Sequence, residues 1–209
     1  MKPYLILGLM ILTACAPAIV QETIPPPAPT VPAASPTDLP AAETESATDV
    51  TNIFSALPAP SCSGVLTPSN AEGPYYTPNT PERTSLLEDG LRGERLILIG
   101  HVLNEDCKPI PDVWLDFWQA DGDGEYDNAG FTLRGHQFTD QQGRYSLETV
   151  LPGLYSSRPI RHIHVKVQAP NGQVLTTQLY FPEQPVDNLT VQVQPKDGFQ
   201  LALFDFVIE

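Results

Sequence analysis

The chain has 209 residues, with 25 Asp and Glu against 11 Lys and Arg, for a net charge of −14. That balance excludes a nucleic-acid partner, which needs a neutralising basic surface, and a lysine-driven grip on anionic lipid. Hydrophobic residues at 41% suffice for one core, and the 23 prolines are about twice the usual share, so part of the chain lies outside that core.

Residues 1–15 read MKPYLILGLMILTAC. Lys2 precedes an apolar run from Tyr4 to Leu12, too short to span a bilayer and of the form of a secretory leader. Leu12-Thr13-Ala14-Cys15 resembles a bacterial lipoprotein cleavage motif. Residues 1–14 are therefore expected to be a lipoprotein signal peptide, with Cys15 the lipidated first residue of an exported chain held at a membrane. An ordinary leader with an incidental cysteine is the alternative. Residues 16–60 carry ten prolines, five acids and no Lys or Arg, with no periodicity of either kind. Such a segment buries too little surface to offset ordering, so 15–60 is expected to be a disordered, Pro-rich linker. That leaves 61–209 as one domain. Its two cysteines, Cys62 and Cys107, form an even pair in an oxidising compartment and are expected to be a disulfide; without a CxxC spacing a metal pair is a weak alternative.

The domain reads as all-β. Arg95–Leu103 and Val113–Gln119 are apolar and rich in β-branched and aromatic residues, separated by NEDCKPIPD as in a hairpin. In the second run Val113, Leu115 and Phe117 share one face and Trp114, Asp116 and Trp118 the other; Trp118 is expected in the core. Further strands are expected at Gly135–Thr139, Arg144–Thr149, His162–Gln168, Gln173–Phe181, Thr190–Val193 and Leu201–Ile208. Turn sequences (DGDG, DQQG, LPG, APNG, PKDG) fall between them, and 84–90 carries the one helical hint. The pattern predicts an antiparallel β-sandwich of short strands with long connecting loops.

His162 and His164 lie two apart in an alternating strand. Both imidazoles project from one face while Ile163, Val165 and Val167 pack behind, which fits half of a metal site and equally a pair of surface or hydrogen-bonded histidines. A third histidine or a carboxylate would complete a zinc or ferrous site, whereas tyrosine phenolates would suit ferric iron. Tyr126 and Tyr155 stand in turn-rich positions, where each by itself reads as a packing tyrosine. His101 and His136 read as structural. Asp121, Asp123 and Asp127 fail the spacing of a calcium loop.

The strings EGPYY (72–76), WLDFWQADGDGEYDN (114–128), GHQFTDQQGRYSLETVLPGLY (135–155), RPIRHIHVKV (158–167) and TTQLYFP (176–182) occur in order. Together they resemble the intradiol ring-cleavage dioxygenases, the family of catechol 1,2-dioxygenase and protocatechuate 3,4-dioxygenase, over nearly all of 61–209. The resemblance implies a mononuclear non-haem Fe(III) held by Tyr126, Tyr155, His162 and His164. It implies a substrate that is a small aromatic diol and insertion of both atoms of O2 to give a cis,cis-muconate-type diacid. Tyr155 would also take a substrate proton, Gln178 would orient the substrate, and Tyr75 and Tyr76 would border the pocket, packing being an equal reading for those two. The family's arginine stands three residues before the first histidine, where this chain has Pro159. Arg158 is expected to take the role, through a one-residue bulge, in preference to Arg161. Two other readings remain: a carboxypeptidase-regulatory-like surface module, whose hairpin rhythm TD..G.Y...L.PG.Y is shared, and a zinc protein using His162 and His164.

Overall fold

Alternating apolar residues drive two sheets together face to face. The computed structural model describes residues 53–155 and 158–209, all within the unit Thr44–Glu209. The leader, Cys15 and the linker up to residue 52 lie outside the described residues. The strands are β1 (Arg95–Leu103), β2 (Trp114–Trp118), β3 (Arg134–Phe138), β4 (Arg144–Val150), β5 (His162–Gln168), β6 (Leu175–Tyr180), β7 (Gln192–Lys196), β8 (Phe199–Leu203) and β9 (Phe206–Val207). One sheet, in the order β3-β2-β5-β6, is antiparallel throughout. The other, β4-β1-β8-β7 with β9 also on β1, is mixed, because β1 runs parallel to β8 and β9. The fold is the expected β-sandwich, with that parallel seam added.

Leu115, Phe117, Ile163, Val165 and Val167 from the first sheet meet Leu96, Leu98, Val102, Tyr145 and Leu147 from the second in one buried cluster. Each such apolar side chain contributes about 1.5–3 kcal/mol by leaving water. On the opposite face of the mixed sheet, Ile97, Ile99, Leu201 and Leu203 are covered by Ile53, Phe54, Leu57 and Phe199. The composition assigns residues 53–57 to the linker, yet here they form a short 3-10 turn (Phe54–Ala56) and pack as part of the domain. Among the described residues no helix is long and apolar enough to cross a membrane.

Four local expectations are corrected. β1 and β2 do not form a hairpin but sit in different sheets. The chain turns back on β1 only as far as the Leu103–Pro109 bridge and the Ile110 N–H bond to the Val102 carbonyl (2.8 Å). Pro109 and Pro111 then offer no N–H to a ladder, and Asp112, at φ +56°, sends the chain across the sandwich. Residues 84–90 are not helical. Leu86 N–H donates to the Glu148 carbonyl and Glu148 N–H to the Thr84 carbonyl (both 2.8 Å), so the segment lies along β4, and seven residues are too few to nucleate a helix against that pairing. The last expected strand is interrupted at Phe204 and Asp205. There the Asp205 carboxylate takes the His101 N–H (2.8 Å) and ring nitrogen (3.0 Å), in place of a ladder bond. Finally, Trp118 is buried but points away from the core, to the outer face of its sheet.

The Cys62–Cys107 disulfide is formed, pinning the segment before the sheets to the turn after β1. His101 and His136 are both hydrogen-bonded within the fold, to Asp205 and to the Thr80 carbonyl.

Candidate metal centre

The antiparallel register of β2, β5 and β6 lines up the outer face row by row. Trp118, His164 and Gln178 lie opposite one another in one row, and His162 and Tyr180 in the next. With Ile163 and Val165 facing the core, both histidines project outward, their rings 4.8 Å apart. His162 Nδ1 donates to the Ile160 carbonyl (2.7 Å), which leaves the Nε2 lone pair facing out. His164 lies flat against Trp118, and its Nδ1 is buried with no partner of good geometry. The neighbouring Ala71 carbonyl already accepts from Gln178 Nε2 (2.6 Å).

Two loops bring the tyrosines over these imidazoles. The Asp121 carboxylate accepts the N–H groups of Asp123 and Glu125 (2.9 Å each), which shapes the turn before Tyr126. The Asp121 carbonyl accepts the Gly153 N–H (2.6 Å), joining that turn to the one before Tyr155. A β-carbon on Gly153 would come within 2.4 Å of the Gly122 carbonyl and the Gly124 N–H, so glycine there permits the approach. The rings of Tyr126 and Tyr155 then meet edge to face at 6.0 Å. Tyr126 Oη stands 3.4 Å from His162 Nε2, and the Tyr155 and His162 ring centroids are 6.1 Å apart.

Electrostatics match a cation held by these groups. Burial pushes His162 down to about 4 and His164 to about 2, so both rings are neutral with free lone pairs at neutral pH. Burial also holds the Tyr126 phenol above its ordinary range, so it ionises only with help from a nearby positive charge. Two neutral imidazoles and two phenols fit a hard, highly charged metal ion. Among the described residues no three His, Cys, Asp or Glu side chains gather to hold a metal, so the carboxylate that a zinc reading requires is absent from this cluster.

Arg158 reaches the same place. Arg158 N–H donates to the Tyr155 carbonyl (3.0 Å) and Ile160 N–H to the Arg158 carbonyl (2.8 Å). Pro159, with φ fixed, suits the second, tight turn, so the approach is a turn before the strand and not a bulge within it. Arg158 Nη1 lies 3.4 Å from His162 Nε2, while Nη2 donates to Gln178 Oε1 (2.7 Å) and Tyr180 Oη (3.0 Å). Arg161 points elsewhere, donating to the Pro152 carbonyl. Tyr75 stacks on Tyr126 at 4.3 Å and 19°. Tyr76 instead donates to the buried Asp116 carboxylate (3.0 Å) and packs on Trp118.

Three neighbours of the site escape sequence reasoning: Tyr180, Trp118 in its stacking role, and Arg134. The Arg134 guanidinium is buried and donates to the carbonyls of Tyr75 (2.5 Å) and Asp127 (2.7 Å), tying together the segments that carry Tyr75 and Tyr126. Alternation alone puts Trp118 and Tyr180 on one face of their own strands. Only the register between strands tells that it is the histidine face. A cleft of about 470 Å³ is lined by residues such as Ser61, Asp187 and Asp205 and contains none of the four donors.

The profile of the dioxygenase family matches residues 71–196. Catechol 1,2-dioxygenase of Acinetobacter baylyi is 30% identical in a 148-residue alignment, with 57% of this chain and 47% of that protein covered. The protocatechuate 3,4-dioxygenase beta chain of Burkholderia cepacia is 34% identical in a 112-residue alignment, with 45% of this chain and 47% of that one covered. The chain spans about half the length of these relatives. Among solved structures, the dioxygenase domain of a dioxygenase carbohydrate-binding protein fusion from Streptomyces sp. SirexAA-E is 46% identical. The match covers 69% of this chain and 99% of that one, with a TM-score of 0.67. 3-Chlorocatechol 1,2-dioxygenase of Rhodococcus opacus is 27% identical over 67% of this chain and 71% of its own, with a TM-score of 0.62.

Proposed function

The chain belongs to the intradiol ring-cleavage dioxygenase family, and from that membership we propose that it holds one non-haem Fe(III) on Tyr126, Tyr155, His162 and His164 and cleaves catechol-type rings with O2. The observation that carries this reading is the convergence of two phenols and two neutral imidazoles over one sheet face, with Tyr126 Oη and Arg158 Nη1 each 3.4 Å from His162 Nε2. In the overall reaction the bond between the two hydroxyl-bearing carbons breaks. Each of those carbons gains one oxygen from O2, and no external reductant is consumed. Bound ferric iron would supply Lewis acidity and would make the catecholate electron-rich enough to react with O2.

The protein's own groups divide the remaining work. Tyr126 lies under Tyr75 and follows the backbone that Arg134 holds, so it is the fixed phenol. Tyr155 meets Tyr126 edge to face and His162 at 6.1 Å, and no described ring stacks on it as Tyr75 does on Tyr126, so it is the phenol assigned to swing and accept a substrate proton at Oη. The Arg158 guanidinium stabilises negative charge developing on the ring. Tyr75 walls the substrate space, and Tyr76, committed to Asp116, supports it from behind. The location follows from the other end of the chain: Leu12-Thr13-Ala14-Cys15 supports an exported protein tethered by lipid on Cys15, with the Pro-rich stretch as its spacer.

The test is to load the full chain with ferric iron, record its visible spectrum and iron content, and add catechol first under nitrogen and then with O2. The reading expects a coloured protein with about one iron per chain, a band that moves with catechol, and O2 uptake matched to diacid formed. A colourless chain that retains no iron would overturn it and leave a surface-binding sandwich.

A further inference from the structure

We infer that Tyr180 is a positioning residue for Arg158, holding it directly and through Gln178; the inference rests on the proposed dioxygenase reading and names how its cationic group is held. Arg158 is not on a strand. It precedes β5 in the tight turns around Pro159, where the backbone alone fixes a long side chain poorly. Its guanidinium must nonetheless sit beside His162 and the cation expected there, which repels it.

The outer face of β6 supplies the hold. Gln178 is fully buried and Tyr180 is 3% exposed. Arg158 Nη2 donates to both Gln178 Oε1 (2.7 Å) and Tyr180 Oη (3.0 Å), and the Tyr180 hydroxyl in turn donates to Gln178 Oε1 (3.0 Å). Gln178 Nε2 is anchored on the Ala71 carbonyl (2.6 Å). The amide has one workable orientation. Flipped, it would turn N–H groups toward the guanidinium and its oxygen toward a carbonyl. The triangle of arginine, amide and phenol is thus closed, and its geometry is tied to the segment that precedes Tyr75. This assigns Gln178 mainly to holding Arg158, because its oxygen already accepts twice and one of its N–H groups is used. Removing the Tyr180 hydroxyl takes one of two acceptors from Nη2 and leaves the arginine free to leave the ring.

The experiment uses the full chain as wild type, Tyr180→Phe, Arg158→Gln and the double variant. Tyr180→Phe is expected to keep its iron content and visible band, because no metal donor changes. It should lose about 10-fold in kcat with KM little altered. In the Arg158→Gln background the same change should add less than about 2-fold, since the group it positions is gone. A second readout needs no turnover: in the metal-free, 15N-labelled chain, the Arg158 Nε–H signal, identified by its absence in Arg158→Gln, should exchange faster in Tyr180→Phe. Unchanged exchange, or kinetic losses that add in the double variant, overturns the inference. A wild type that consumes no O2 with any catechol overturns the functional reading instead, and the exchange measurement still decides the role of Tyr180.

Discussion

The indole of Trp118 lies flat on the imidazole of His164, with ring centroids 4.8 Å apart and planes 8° apart. The two residues are direct cross-strand partners between β2 and β5, so the register of the sheet makes the stack. The Trp118 ring also meets Tyr76 at 4.8 Å, tilted by 57°, and the Ala71 carbonyl beside His164 offers its Nδ1 only a hydrogen bond of poor geometry. Packing against the indole is therefore what sets the plane of this imidazole.

Trp118→Ala should destabilise the chain by about 3–5 kcal/mol, as truncation of a fully buried tryptophan does, and should weaken iron retention as well. Trp118→Phe keeps a stacking surface and should lose less of both. Urea unfolding and iron content after dialysis report the two effects separately. An alanine variant that unfolds earlier yet retains iron as the wild type does would show that the stack serves stability alone.

The two phenols should separate under substitution. Tyr126 is stacked by Tyr75 and precedes the backbone tied to Arg134, whereas among the described residues Tyr155 has ring contacts that are edge-on or tilted. Tyr126→Phe is expected to strip most of the iron. Tyr155→Phe is expected to keep part of the iron and the colour from one remaining phenolate, and to lose turnover by about 100-fold with its base. Iron assay, visible spectrum and O2 uptake on both variants check this, and equal iron loss in the two would remove the distinction.

Much of this architecture can be read from period-2 alternation. Ile163, Val165 and Val167 inward with His162 and His164 outward needs no tertiary information, and the strand bounds of β5 follow from it. What alternation leaves open is which strands pair. β1 is apolar on both faces, Leu96 and Leu98 one way and Ile97 and Ile99 the other, so its pattern is equally compatible with a hairpin to β2 and with the separate sheet it joins. Trp118 was ambiguous for the same reason, since a buried outer face and a buried inner face look alike in sequence. Arg158 is legible only through the family resemblance, which sets an arginine just before the first histidine, and Tyr180 and Arg134 are not legible at all, because their meaning lies in what they bond across the fold.

Gly100 shows how a single backbone position sets the end of a strand. The Phe204 carbonyl oxygen lies 1.7 Å from where a β-carbon on residue 100 would stand, and that carbonyl also accepts the Tyr145 hydroxyl (2.8 Å). Neither partner is a flexible side-chain tip that can step aside. Gly100→Ala should cost at least about 3 kcal/mol or prevent folding, read from urea midpoints or soluble yield. An alanine variant within about 0.5 kcal/mol of wild type would mean that the interruption between β8 and β9 is easily moved.

The disulfide should matter through the unfolded chain. Its cysteines are 45 residues apart, and closing a loop of that length removes entropy worth about 4 kcal/mol from the denatured state. Replacing both Cys62 and Cys107 by serine should therefore lower stability by up to that amount while leaving the iron band intact, because neither residue is near the donors. Denaturation of the double variant beside a reduced wild type measures it. A change in the iron band would show that the 62–76 segment transmits the loss to Tyr75.

Acid should act on the loop that follows Tyr126. The Asp127 carboxylate accepts backbone N–H groups from Ala129 (2.8 Å), Gly130 (2.8 Å) and Thr132 (3.0 Å). These bonds, the one from Ala129 foremost, pull its pKa down to about 2. A carboxyl whose pKa is lower in the folded chain than in the unfolded one holds fewer protons when folded. Its contribution is thus complete above the ordinary carboxylate pKa and is lost as pH falls through the folded value. Asp127→Ala lacks that contribution at every pH. The stability gap between wild type and variant should therefore be widest near neutrality and close between about pH 4 and about pH 2, while Asp127→Asn, which keeps an acceptor oxygen, should show a smaller gap with little pH dependence. Urea midpoints of the three chains across that range decide it. A gap that stays constant down to about pH 2 would mean that the carboxylate charge contributes nothing to holding the loop.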